Sequence, residues 1–542
     1  MSRPFVPCFS IESRFSESRF SWILTLLVVC ACSFMFADFS VGAEAMDAKE
    51  IKKLKKSYGK AIQGQENDSA IDIIRQISAY GTPDALETVY DLGYANGSVP
   101  SVYDVICEEL SMMTSIVEHI TERYDKIDSK GDFRERVYMT DILAYPTNKR
   151  GELNDKKISL QKQLKRLEES GPRPGSDPSV PDRMKAEIDR LQKQIDRLKG
   201  QQNDEALKLM VLFLEDKSAF VQGAAVEAFR KSQSGVSVEP LIKLLEKLVK
   251  KRKDVLYHQV RDALWELTGQ DFELVEEWYS WWEPRQDSFD PMEESHEGKT
   301  GVKRKRRGDD PEFWGVPVES KNIVFVIDTS GSMKYVHKDD IPGLARGDGS
   351  DSGQGSGGGQ MTADQQRLAR FWTRMEMAKR ELRKVLRKMS KDAAFNCVRF
   401  DTTVSKFKKK ATPASNGNKK AAIKWVDGLK HNGNTNTMDS LIQAFMQDAR
   451  TNTIFILSDG LPSVDGKAND PTQPILDKVF ELNRFRKIKI HCFGFHPFTQ
   501  GGQQMPALTE ANSWLRRLAE STGGTYTDMK VDPKLNPDNP GE

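Results

Sequence analysis

From Lys321 onward the apolar residues of this chain stop recurring at helical spacing and fill short continuous runs instead. Ile323-Val-Phe-Val-Ile327 is the first, and similar runs lie at 393–400, 454–457 and 488–495. A strand without a polar face needs cover on both sides, which is the situation of a parallel sheet between helices. Amphipathic stretches at 368–389, 436–449, 475–485 and 513–521 separate the runs. Strand and helix alternating in this way predict a doubly wound, Rossmann-like α/β domain. Its ligand site is expected beyond the carboxyl ends of the strands.

The sequence ahead of this domain is helical. Residues 69–80 and 83–93 carry apolar side chains at helical spacing, with Gly81, Thr82 and Pro83 breaking the two apart. Five short segments of the same kind follow between residues 204 and 283, separated by turns. Paired helices of this length resemble HEAT-type repeats, and Ala219-Phe-Val-Gln-Gly-Ala-Ala-Val-Glu-Ala-Phe229 is similar to the second helix of such a repeat. Between these blocks, Leu153, Leu160, Leu164 and Leu167 are matched by Met184, Ile188, Leu191, Ile195 and Leu198 on alternating three- and four-residue steps. The proline-rich stretch 171–181 lies between the two series and is incompatible with helix. Two seams around a rigid turn predict an antiparallel coiled-coil hairpin, read as a structural spacer. Phe272, Trp278, Trp281 and Trp282 are expected to plug the end of the helical array.

The expected organisation is therefore multidomain: residues 1–43 a signal peptide, 44–147 a helical region, 148–200 the coiled-coil hairpin and 201–284 HEAT-like repeats. Residues 285–316 then form a linker, 317–532 the α/β domain and 533–542 a tail. The leader reading rests on Arg3, Arg14 and Arg19 ahead of an apolar stretch at 22–37, with Val41, Gly42 and Ala43 offering a cleavage site. That stretch is short for a spanning helix, which needs about 20 residues, so membrane association is expected only if the leader stays uncleaved. The mature chain is expected outside the cytoplasm, whether periplasmic, at the cell surface or secreted. Of 542 residues, 81 are Lys or Arg and 79 Asp or Glu, a net charge of +2. No basic field draws such a chain to nucleic acid. Cys107, Cys397 and Cys492 remain after cleavage and read as reduced core residues.

Polar residues of one chemical kind collect at the strand ends. Asp328-Thr-Ser-Gly-Ser-Met333 follows the first strand, Ser458-Asp-Gly-Leu-Pro462 follows the run at 454–457, and Gly433-Asn-Thr-Asn-Thr437 precedes a helix. Asp328, Ser330, Ser332, Thr435 and Asp459 offer oxygen donors only, which suits Mg²⁺, with Mn²⁺ or Ca²⁺ as alternatives, rather than zinc. This pattern resembles the metal-ion-dependent adhesion site of von Willebrand factor type A domains, also known from integrin I domains. The resemblance implies that Ser330 and Ser332 ligate through their hydroxyls and that Thr435 ligates directly or through water. It implies that Asp328 and Asp459 act mostly through water, and that an Asp or Glu of a protein partner completes the coordination. The five residues are expected on a solvent-facing rim.

One departure from that family is an insertion at 334–366, which includes Asp339, Asp340, Asp348 and Asp351. It reads either as a tolerated surface loop or as a segment that gates the rim. Asp328-Thr-Ser-Gly also resembles the aspartic-protease turn, but Ser330 stands where those enzymes need Gly, and no second copy of the motif exists. No phosphate-binding Gly-x-x-x-x-Gly-Lys-Ser/Thr loop occurs either. The expectation is an exported, non-enzymatic adhesion protein. The alternative is a non-catalytic subunit of a machine driven by a separate ATPase or chelatase.

Overall fold

A computed structural model of the chain describes residues 48–127, 133–170, 179–199, 204–232, 234–251, 255–289, 311–335, 373–463, 471–495 and 506–529, with 177, 291 and 371. The leader, the tail, His496 and almost all of the 334–366 insertion lie outside the described residues. The chain divides into two compact units, residues 1–93 and 94–542.

The described part of the first unit is helical: α1 (48–63), α2 (Asn67–Ser78) and most of α3 (Pro83–Asn96). Ala70, Ile74 and Ile77 are buried along one face of α2, as the helical spacing requires. Gly81 makes the turn into α3 at φ 64°, and Pro83 opens that helix.

The second unit begins with the helices α4 (Pro100–Met112), α5 (Ile116–Lys126), α6 (Phe133–Ser170) and α7 (Val180–Lys199). After them come α8 (Asp204–Leu214), α9 (Ala219–Ser232), α10 (Val238–Leu248), α11 (Val255–Thr268) and α12 (Val275–Trp282). Successive pairs stack, with α8 on α10 and α9 on α11, which is the packing of a repeat array. Trp278 and Trp282 are buried against α10 at its end, and Trp278 Nε1 donates to the Phe272 carbonyl at 3.3 Å. The aromatic cluster is a plug.

α6 and α7 form the antiparallel hairpin. Lys157 Nζ donates to Gln192 Oε1 at 2.9 Å and Lys185 pairs with Glu168 at 3.1 Å, so one residue number falls as its partner's rises. Leu191 and Ile195 are the buried members of the α7 seam. The structure differs from expectation at the hairpin's start. α6 is one 38-residue helix that runs through residues 147 and 148, although Pro146 lies inside it. The helix packs against α4, α8 and α9. The hairpin's first arm is therefore rooted in the helical array.

The α/β domain has a mixed sheet in the order β5-β4-β3-β7-β8-β9, with β6 on β4. Its strands are β3 (Asn322–Asp328), β4 (Ala394–Phe400), β5 (Val404–Lys406), β6 (Thr412–Pro413), β7 (Thr453–Leu457), β8 (Lys489–Phe495) and β9 (Tyr526–Met529). β4, β3, β7, β8 and β9 run parallel, while β5 and β6 return antiparallel at the edge. Alternation sorts the central strands into two cores. Ile323, Phe325 and Ile327 face α13 (Arg374–Lys388) and α14 (Asn416–Asp427). Val324 and Val326 face α15 (Thr437–Phe445), α16 (Thr472–Asn483) and α17 (Pro506–Ser521).

Two further differences follow from tertiary packing. The expected linker at 285–316 ends in a small hairpin, β1 (Glu312–Phe313) on β2 (Val316–Pro317), and Phe313 is buried against Phe325, Phe455 and Phe493. An apolar side chain among charged neighbours thus belongs to the α/β core. The helical array docks on this domain through the end of α16 and the turn after it. Tyr103 meets Phe480 at 5.6 Å, Arg484 Nη2 donates to the Tyr94 carbonyl at 3.0 Å, and Lys487 pairs with Asp141 at 2.8 Å. That turn leads into the amino end of β8, so the carboxyl ends of the strands point away from the array.

Candidate functional site

β3 lies between β4 and β7, where successive connections leave in opposite directions. A crevice opens at such a switch point, and the ends of β3 and β7 bring Asp328 and Ser458-Asp459 to it. Backbone bonds stitch the loop after β3 to its neighbours. Thr329 N donates to the Phe400 carbonyl at 2.7 Å, Gly331 N to the Gly433 carbonyl at 2.9 Å, and Asn432 N to the Thr329 carbonyl at 2.8 Å. Gly433 is required there. Its φ is 68°, and a Cβ would stand 2.4 Å from Thr402 Oγ1. Thr435 is fixed next in the chain by reciprocal backbone bonds with Ser463, at 2.8 and 3.0 Å.

The side chains form one connected cluster. Asp328 Oδ1 accepts from Ser330 N at 2.7 Å, and its Oδ2 accepts from Ser458 Oγ at 2.5 Å. Ser330 Oγ and Ser332 Oγ share a hydrogen bond of 3.0 Å, and Ser332 Oγ donates to Asp459 Oδ1 at 2.7 Å. Thr435 joins the cluster across Gly460. A Cβ on that glycine would stand 3.6 Å from Thr435 Oγ1 and 4.0 Å from Ser332 Oγ, so the missing side chain keeps the space beside both hydroxyls open. All five residues singled out from sequence are therefore brought together.

The expected exposure is not observed. Asp328, Ser330, Thr435 and Asp459 are 0%, 2%, 6% and 3% exposed, and Ser332 is half-buried. The rim is closed. Burial and the Asp459 carboxylate push the Asp328 carboxyl up to about 7, against the pull of its hydrogen bonds from Ser330 and Ser458. Two carboxylates buried together call for cations, and Arg374 supplies one at Asp459. The donor set fits a hard divalent ion, since it combines two carboxylates with three hydroxyls and contains no sulfur or imidazole. Among the described residues no group of three or more His, Cys, Asp or Glu gathers for a metal, and this cluster itself holds two carboxylates.

Two residues of the site were not singled out from sequence. Ser458 stands in the quoted motif, but its role against Asp328 depends on β3 and β7 being neighbours. Arg374, at the start of α13, donates from Nη1 to Asp459 Oδ2 at 2.5 Å. Nothing local distinguishes it from the other arginines of that basic helix. His491 is structural: its Nδ1 lies 2.8 Å from Thr525 Oγ1 on the neighbouring strand connection.

Residues 364–528 match the family model of the von Willebrand factor type A domain. The match includes Thr435 and Asp459 and begins after Asp328, Ser330 and Ser332, which the sheet places in the same domain through β3. No curated protein matches the chain. Among solved structures, a von Willebrand factor type A protein from Catenulispora acidiphila aligns at 17% identity over 40% of this chain and 39% of its own, with a TM-score of 0.26. The chain thus spans about two fifths of that structure's length. The conserved hypothetical protein BatB from Bacteroides thetaiotaomicron aligns at 11% identity over 39% of this chain and 91% of its own, TM-score 0.26. The PilB minor pilin from Streptococcus sanguinis aligns at 15% identity over 40% and 58%, TM-score 0.26.

Proposed function

We propose that this chain, whose C-terminal part is a von Willebrand factor type A domain, is an exported, non-enzymatic protein that binds a protein partner through a divalent-cation site. What carries the reading is the cluster at the switch point, in which hydrogen bonds link two buried carboxylates with Ser330 and Ser332 while Gly460 keeps space beside the Ser332 and Thr435 hydroxyls. Ser330, Ser332 and Thr435 are the proposed direct ligands, with Asp328 and Asp459 balancing the charge. A bound Mg²⁺ or Mn²⁺ would supply one electrophilic position for a partner's Asp or Glu, because neutral hydroxyls leave more positive charge on the ion than carboxylates do.

The chain's own groups do the positioning. Ser458 and the Ser330 amide hold both oxygens of Asp328, and Ser332 holds Asp459 Oδ1. The helical array docks at the end of the sheet opposite the strand ends that carry the cluster. Among the described residues no helix is long and apolar enough to cross a membrane. Export is proposed from the leader at 1–43, and native protein should begin near Glu44 by N-terminal sequencing. Finding Met1 instead would point to an uncleaved anchor.

Calorimetric titration of the purified chain with MgCl₂ or MnCl₂ tests the site. Saturable binding that Asp328→Ala abolishes is expected, with capture of a protein from envelope material only when chelator is absent. A folded chain that takes up neither ion at millimolar concentration would remove the reading.

A further inference from the structure

Arg374 occupies a place that helix electrostatics disfavours. It is the first residue of α13, after the N-cap Thr373, where the partial positive charge of the helix end repels a cation. It is nevertheless 5% exposed. Asp459 Oδ2 accepts from its guanidinium at 2.5 Å, which lies over the rings of Phe495 and Tyr335 at 5.3 and 5.8 Å from their centroids. Its amide donates to the Tyr335 carbonyl at 3.2 Å, and Tyr335 ends the short turn that carries Ser332. One arginine therefore ties the Asp-x-Ser-x-Ser turn, the second carboxylate and α13 together.

The charge balance shows what this does. Asp328 and Asp459 would present two negative charges to a divalent ion, and Arg374 cancels one of them from within van der Waals reach of the same cluster. We infer that Arg374 is a built-in counter-cation that opposes divalent-cation binding, holding the site closed and its metal affinity low. The inference rests on the metal reading above and adds to it a residue that sets affinity. An ion that draws on Asp459 must displace the guanidinium from it, and that displacement weakens binding.

The test is calorimetric titration of the full chain with MnCl₂ and MgCl₂ in three forms: parent, Arg374→Gln and Arg374→Lys. Arg374→Gln should bind at least about 10-fold more tightly than the parent, and Arg374→Lys, which keeps the charge, within about 3-fold of it. If Arg374→Gln binds as the parent does, or more weakly, the inference falls while the metal reading stands, because Arg374 then only orients Asp459. If all three fold and none takes up metal, the metal reading falls and the inference with it. Should Arg374→Gln fail to fold, hydrogen exchange on the parent decides. Faster exchange at residues 373–380 on adding Mn²⁺ supports displacement of Arg374, and unchanged exchange there overturns it.

Discussion

Two buried arginine–aspartate pairs, one in each part of residues 94–542, look alike and differ in what surrounds them. In the helical array, Arg136 grips Asp216 with two bonds, Nε to Oδ2 at 2.7 Å and Nη2 to Oδ1 at 3.2 Å. The Ser218 amide also donates to Asp216 Oδ1, at 2.7 Å. One cation meets one carboxylate, and the carboxylate's oxygens are filled. In the α/β domain, Arg374 makes a single bond to Asp459, and a second carboxylate, Asp328, stands in the same cluster. The first pair is balanced and joins α6 to the turn after α8. Among the described residues the second sets two carboxylates against one cation, beside three hydroxyls and a glycine that keeps space. Burial of an ion pair therefore does not mark a site; an unbalanced charge with room beside it does.

Breaking the balanced pair should have the largest effect. Arg136→Met should lower unfolding stability by about 3–5 kcal/mol in chemical denaturation, because Asp216 is left buried and uncompensated. Arg136→Met with Asp216→Leu should recover most of that loss. A single variant within 1 kcal/mol of the parent would mean that the pair is not what holds this joint.

At the unbalanced pair the sign should reverse. Asp328→Ala removes the excess charge, so the chain should fold with stability equal to or above the parent's in chelator, while its affinity for Mn²⁺ drops by about 100-fold or more, worth about 2.7 kcal/mol. A variant that loses stability in chelator would show Asp328 to be structural, as Asp216 is. Gly460→Ala sharpens the contrast further. Its Cβ would meet Thr435 Oγ1 at ordinary contact distance, so melting should stay unchanged while Mn²⁺ binding weakens by about 10-fold. Equal affinity in the two chains would move the ion's place away from Gly460.

The smallest expected effect is one in which both regions behave alike. Burial raises the thiols of Cys107 in α4, Cys397 in β4 and Cys492 in β8 well above their ordinary range. In a chain starting at residue 44, a thiol reagent at pH 8 should find no reactive group in the native protein and three after denaturation. One fast-reacting thiol before denaturation would locate a mobile part of either core.

The strands that carry the site were legible because a strand buried on both faces must be apolar throughout, and the runs beginning at Ile323 and Ile454 obey that rule. The short edge strands β5, β6 and β9 were not, since partial exposure leaves them mixed in composition. Phe313 was hidden for a related reason. A two-residue strand has no period, and only the aromatic cluster of Phe325, Phe455 and Phe493 explains its burial.

By itself the sequence determined the two architectures and the five oxygen donors of the site. Periodicity, proline positions and the Asp-x-Ser-x-Ser turn are short-range properties, and each acts within a few residues. Tertiary structure alone decided that the rim is closed, that Ser458 holds Asp328, and that Arg374 faces Asp459 across 85 positions of sequence. Those facts depend on which strands become neighbours and on where α13 begins after a long insertion. An arginine in a basic helix carries the same local chemistry whether it faces water or a carboxylate, and only packing tells the two apart.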